Sequence, residues 1–232
     1  MYLYRCVLVL GVFFLSGALA PQAAQAQSRI GEAVIVQKEV LRVAAAATSQ
    51  INVGDGVLRD ETVRTGDESA ARFVMADSTN LSLGPNASVK LDRTVFNDEH
   101  SYRDIAIRLT TGAFRFVTGH SEKAAYKITT PIATIGVRGT ILDILSQRGK
   151  TTVVLQEGAA NVCTLHFQCM QLTQPGDTAI ITATGGKTTI AKTGNPAWSF
   201  AATCASTSGL CTINDFANAT PGQDFTGILC GR

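Results

Sequence analysis

The stretch Lys127-Ile-Thr-Thr-Pro-Ile-Ala-Thr-Ile-Gly-Val-Arg-Gly-Thr140, continued by Ile141-Leu-Asp-Ile144, decides the fold class. Thr, Ile and Val crowd their χ1 angles in a helix and pack well on a pleated surface, while Pro131, Gly136 and Gly139 weaken any helix they enter. Ala133, Ile135 and Val137 alternate with the polar Thr134 and Arg138, the period of a half-buried strand. After Gly139 the phase slips, and Leu142 and Ile144 become the apolar set. A glycine where a strand changes phase marks a bulge or bend, so a backbone corner is expected from Arg138 to Thr140.

The same pattern recurs along the chain. Leu81, Leu83, Val89 and Leu91 are apolar at alternate positions about the turn Gly84-Pro-Asn86, and Phe73 and Met75 continue their parity upstream. One or two strands are expected between Ile30 and Val43, then a link from Ala44 to Gln50 that could turn helical, then a short strand from Thr62 to Thr65. Asn97 to Asp104 reads as an exposed polar loop. Strands Ile105–Leu109 and Ala113–Val117 flank Gly112, Thr151–Gln156 and Ala159–Cys163 flank Glu157-Gly158, and three further strands follow to Ala191. Short strands at such spacing give an all-β domain. Corners of Gly-Asp, Asp-Ser and Gly-Pro-Asn type, with few Asn-Gly hairpins, favour a short β-solenoid, with a β-sandwich as the alternative.

The run Thr130-Pro131 and Ala133-Thr134-Ile135-Gly136-Val137-Arg138-Gly139-Thr140 resembles the signature of the FecR-type periplasmic domain. Supporting pieces follow that family's order: Val63-Arg-Thr-Gly66, Phe73, Asp77 to Leu83, Gly84-Pro-Asn-Ala-Ser88, Gly112-Ala-Phe-Arg-Phe-Val-Thr-Gly119 and Leu155 to Ala159. The resemblance spans roughly Val53 to Thr184. It implies the β-solenoid and an exported, non-catalytic module that binds, senses or signals; a structural envelope protein, and after it a glycan-active enzyme, are the alternatives. Relatives that regulate iron transport carry a cytoplasmic segment, a membrane helix and a receptor-contact domain, none of which is legible in this chain.

The first residues point to export as well. Arg5, an apolar run from Cys6, and Ala24-Gln-Ala26 have the layout of a signal peptide cut after Ala26. The 15 residues from Cys6 to Ala20 fall short of the roughly 20 that span a bilayer. Four segments are therefore expected: a signal at 1–26, N-terminal strands and a link at 27–52, the β domain at 53–191, and a disulfide-tied C-terminal cap or extension at 192–232 with Trp198 and Phe200 as anchors. The address is periplasmic or secreted, with no stable membrane span after cleavage. Loss of Arg5 takes Lys+Arg against Asp+Glu from 20 and 18 to 19 and 18, which excludes a nucleic-acid stripe and an acidic tail.

Five of the six cysteines lie beyond the signal. Cys163 and Cys169 end a five-residue excursion and are expected to pair in an oxidising compartment. Cys230 competes with Cys204 and Cys211 for a second bridge, and one thiol of the three is left over. Their spacings are not those of a zinc site, and no metal or cofactor is expected. Gly185-Gly-Lys-Thr188 lacks the upstream glycine of a phosphate loop. No Gly-x-Ser-x-Gly elbow exists, and Asp98, Glu99 and Asp104 about His100 read as solvated surface. Arg138 is the one charge in the signature. Its five donors could tie corner carbonyls, Glu157 or Asp143 together, or face an anion or a protein partner.

Overall fold

Strand β9, Ser101–Val117, is the element on which the sheet divides. The computed structural model describes residues 28–44, 47–98, 101–121, 126–196 and 198–203. The segment 1–26 and Cys204, Cys211 and Cys230 lie outside the described residues, as do Glu99 and His100. In chain order the strands are β1 Arg29–Gln37, β2 Val40–Val43, β3 Thr48–Gln50, β4 Gly56–Leu58, β5 Thr62–Thr65, β6 Ala70–Met75, β7 Asn80–Leu83, β8 Ser88–Asp98, β9, β10 Tyr126–Thr129, β11 Ala133–Gln147, β12 Lys150–Thr164, β13 Cys169–Leu172, β14 Thr178–Thr184 and β15 Lys187–Thr193.

The second half of β9 pairs with β7 and with β11 from Ile141 to Ser146. Its first half pairs with β8 and, in parallel, with β10, which in turn pairs with the start of β11. Strand β12 follows β11 through both halves, meeting β14 in one and β13 in the other. The outcome is one open, mixed sheet that bends where the three long strands change halves. Each carries a glycine of positive φ there: Gly112 at 106°, Gly139 at 60° and Gly158 at 82°. L residues rarely adopt these angles, whereas glycine does so without steric cost. The register of β11 on β12 shifts between Arg138 and Ile141, so the expected corner and phase slip are present. Apolar side chains of both halves, among them Phe73, Phe114, Phe116, Ile128, Ile135 and Val162, form a single buried cluster.

The β-solenoid expectation is not met. A coil of one sense stacks successive strands in parallel, but among the described residues β9 with β10 is the one parallel pair. The chain doubles back through two-residue turns at Arg148-Gly149 and Gly185-Gly186, with Gly149, Gly185 and Gly186 all at positive φ. These are hairpin turns that lack the Asn-Gly signature. The expected loop from Asn97 to Asp104 is instead the end of a β8–β9 hairpin, with Phe96 opposite Tyr102 and Asp98 opposite Ser101. Thr48–Gln50, within the link that was open to a helical reading, pairs with β2 as a strand.

Beyond β15 the described residues end at Thr203, so most of the expected cap or extension lies outside them. Phe200 is buried against Ala70 and Ala113, with Ile35, Leu145 and Trp198 around them, so the expected anchors lie on the outer face of the sheet. A turn of helix follows at 200–203.

Candidate functional site

The signature segment is held by its own hydroxyls. Thr130 Oγ1 accepts the Ala133 N–H at 3.0 Å and lies 3.0 Å from Thr151 Oγ1, while the Thr130 N–H reaches the Ala133 carbonyl at 2.9 Å. These bonds close the turn at exposed Pro131, which β11 leaves with Ala133, Ile135 and Val137 buried and Gly136 and Arg138 exposed. At the corner Thr140 Oγ1 accepts the Arg138 N–H at 2.8 Å and donates to the Ala159 carbonyl at 2.8 Å. Thr118 Oγ1 accepts the Thr140 N–H at 2.8 Å from the neighbouring strand.

This corrects the structural role expected for Arg138. A buried threonine spans the corner, and the exposed Arg138 side chain makes no hydrogen bond or ion pair with described residues. Asp143 is taken by Arg115 instead, whose Nε and Nη2 donate to its two oxygens at 2.6 and 2.8 Å. Gln156 Nε2 and the Phe200 N–H complete its shell at 3.0 and 3.1 Å, and the Arg115 guanidinium lies 5.7 Å from the Phe200 ring centre. Glu157 is exposed beyond the corner.

Beside Arg138 lies an open cleft of about 470 Å³. Strands β11, β12 and β13 supply Gly136, Arg138, Asn161 and Gln171, all exposed, and beneath them lie the buried Val137, Ala160, Leu172 and, from β10, Tyr126. Among the described residues the lining holds one cation and no carboxylate. Lys127, also exposed, sits directly across from Gly136 on β10.

At the far end of the β12–β13 hairpin Cys163 and Cys169 are bonded, as expected, with Cα atoms 4.0 Å apart. The loop that they close turns Phe167 outward with 90% of its surface exposed, and Leu165 with 54%. His166 Nδ1 lies 2.9 Å from Thr188 Oγ1. Asp104 is on β9 and half-buried, so it belongs to the sheet and not to a carboxylate cluster in a loop.

Sequence reasoning missed a buried knot around Asp77. Its carboxylate accepts Tyr126 OH at 2.5 Å, Ser121 Oγ at 2.7 Å and Thr79 Oγ1 and N–H at 2.9 Å each. Burial and this hydrogen bond to Asp77 push the Tyr126 phenol up to about 12. Asp77-Ser-Thr79 is a legible turn signal, but its partners lie more than 40 residues away. The knot ties the β6–β7 turn to the chain entering β10, and with all its hydroxyls bonded it offers no free nucleophile. No group of three or more His, Cys, Asp or Glu able to hold a metal ion occurs among the described residues. None of their helices is long and apolar enough to cross a membrane.

Residues 61–161 match the family model described as FecR protein, a span that contains the signature and every supporting piece of the resemblance. The match to the FecR family thus covers the bent sheet from Glu61 to Asn161. Two crystal structures of a candidate anti-sigma factor from Parabacteroides distasonis, at 1.65 and 2.50 Å, are similar in fold, with TM-scores of 0.47 and 0.48. Both are 16% identical over 59% of this chain, and this chain covers 60% of theirs. No curated protein matches the sequence.

Proposed function

We propose that this FecR-domain chain is an exported, non-catalytic module that binds a protein partner in the cell envelope and serves in sensing or signalling. One observation carries the reading. The buried hydroxyls of the signature, Thr130 and Thr140, are committed to its own backbone, while Arg138 is turned to solvent beside an open cleft. A charged group that holds nothing together within its own domain is available to another molecule. The Cys163–Cys169 bridge and the layout of residues 1–26 support export, because such bonds persist in oxidising compartments.

The test is made in cells producing the full chain with a photo-cross-linking residue in place of Gln171. A discrete protein adduct is expected, lost when Arg138→Glu is added, together with a mature N-terminus at Gln27 by intact mass. Absence of any adduct overturns the binding role, and retention of residues 1–26 overturns cleavage.

A further inference from the structure

We propose that the cleft receives an extended, acidic peptide segment of the partner, laid across Gly136 with a carboxylate on Arg138. The inference rests on the binding-module reading and names the chemistry of the partner at that site.

Gly136 is the first ground. At Gly139 and Gly158 a positive φ requires glycine, and at Gly112 and Gly158 a Cβ would also strike backbone. Gly136 has neither reason. Its φ is outside the left-handed region, and a Cβ built there would meet only the Asn161 carbonyl oxygen, at 3.9 Å, an ordinary contact. Glycine in mid-strand weakens the strand and often marks a place where another backbone approaches closely. The space above Gly136 is open, so that the bare backbone forms a floor which any side chain would fill.

Charge and hydrogen-bonding capacity are the second ground. Arg138 presents donors and no acceptor, Lys127 adds a second positive charge from the next strand, and no carboxylate lines the cleft among the described residues. A guanidinium so placed matches a carboxylate in a two-pronged geometry. The Asn161 amide nitrogen makes one long contact, to Cys163 Sγ at 3.5 Å, and the Gln171 amide is unbonded among the described residues. Each amide offers a donor and an acceptor, the pair of functions that an extended backbone presents. Gly136, Asn161 and Gln171 form one cross-strand row on the exposed face, while Val137, Ala160 and Leu172 turn into the core, so a segment laid there meets the bare backbone and the amides and places one side chain on Arg138. The volume exceeds that of a single small anion.

The probes are fluorescein-labelled Ala-Val-Asp-Val-Ala and its Ala-Val-Asn-Val-Ala counterpart, titrated by anisotropy against the purified full chain at low salt. The acidic peptide is expected to bind about tenfold tighter, the effect of one charge-assisted bond, and Arg138→Gln should abolish that preference. Gly136→Val should weaken both peptides about tenfold or more with an unchanged melting midpoint, since its side chain meets open space. Should that variant fold poorly, Arg138→Gln, at an exposed and unbonded position, still decides the matter. Equal affinity for the two peptides, undiminished binding by Gly136→Val in a folded domain, or full displacement by inorganic phosphate overturns the proposal. If both peptides fail while the Gln171 cross-linker still captures a protein, the acidic-segment inference falls and the binding module stands. If cross-linking fails as well, both fall.

Discussion

The bend of the sheet makes an ordered prediction for two of its glycines. Alanine at Gly139 would meet nothing within 4 Å, so its cost is that of holding an L residue at φ of 60°, about 1–2 kcal/mol. Alanine at Gly158 carries the same backbone cost and adds a collision. Its Cβ would lie 1.8 Å from the Gly139 carbonyl oxygen and 2.7 Å from the carbonyl carbon, which are backbone atoms and cannot swing aside. Strands β11 and β12 must then part at the corner, straining the Thr140 bond to the Ala159 carbonyl. Overpacking of about 1–3 kcal/mol and a hydrogen bond of about 1 kcal/mol bring the total to about 3–6 kcal/mol. For a domain of this size each kcal/mol shifts the midpoint by about 2–4 °C. Gly139→Ala should therefore lower it by about 2–8 °C and Gly158→Ala by about 6–24 °C, followed by circular dichroism and urea titration. Gly139→Asn should cost less than Gly139→Ala, since asparagine tolerates the left-handed region. Gly158→Ala as mild as Gly139→Ala would refute the account of the corner.

Two further outcomes follow from the buried polar groups. Asp143→Ala strands the Arg115 cation beneath Phe200 and should cost about 3–5 kcal/mol, whereas the double replacement Arg115→Met with Asp143→Leu should recover most of it; a double variant no better than the single one in urea melts would show that the pair is not the source of the loss. The folded Tyr126 phenol titrates near 12 and an unfolded one near 10, so its stabilising contribution is whole below about pH 10 and fades as pH rises toward 12. Urea melts should accordingly show the advantage of wild type over Tyr126→Phe shrinking between pH 9 and 11.5, and a constant difference would count against the Asp77 knot.

Residues close in sequence determined a good deal by themselves. The parity of Ala133, Ile135 and Val137 and its slip to Leu142 and Ile144 located the corner, because alternation records which face is apolar and a bulge must reverse it. The five residues between Cys163 and Cys169 were short enough to identify the bridge. The family was legible too, since its signature is one continuous run. Strand pairing was not, because a strand's hydrogen-bond partners lie elsewhere in the chain, and the same alternation serves a coil or a folded-over sheet. Only the tertiary structure put Phe200 over Arg115 and Asp143, turning an outward-facing charged pair into a buried one. It likewise gave Thr140 the corner that Arg138 was expected to hold. A hydroxyl two residues away already reaches both the Arg138 N–H and the Ala159 carbonyl, which leaves the longer guanidinium side chain to the solvent beside the cleft.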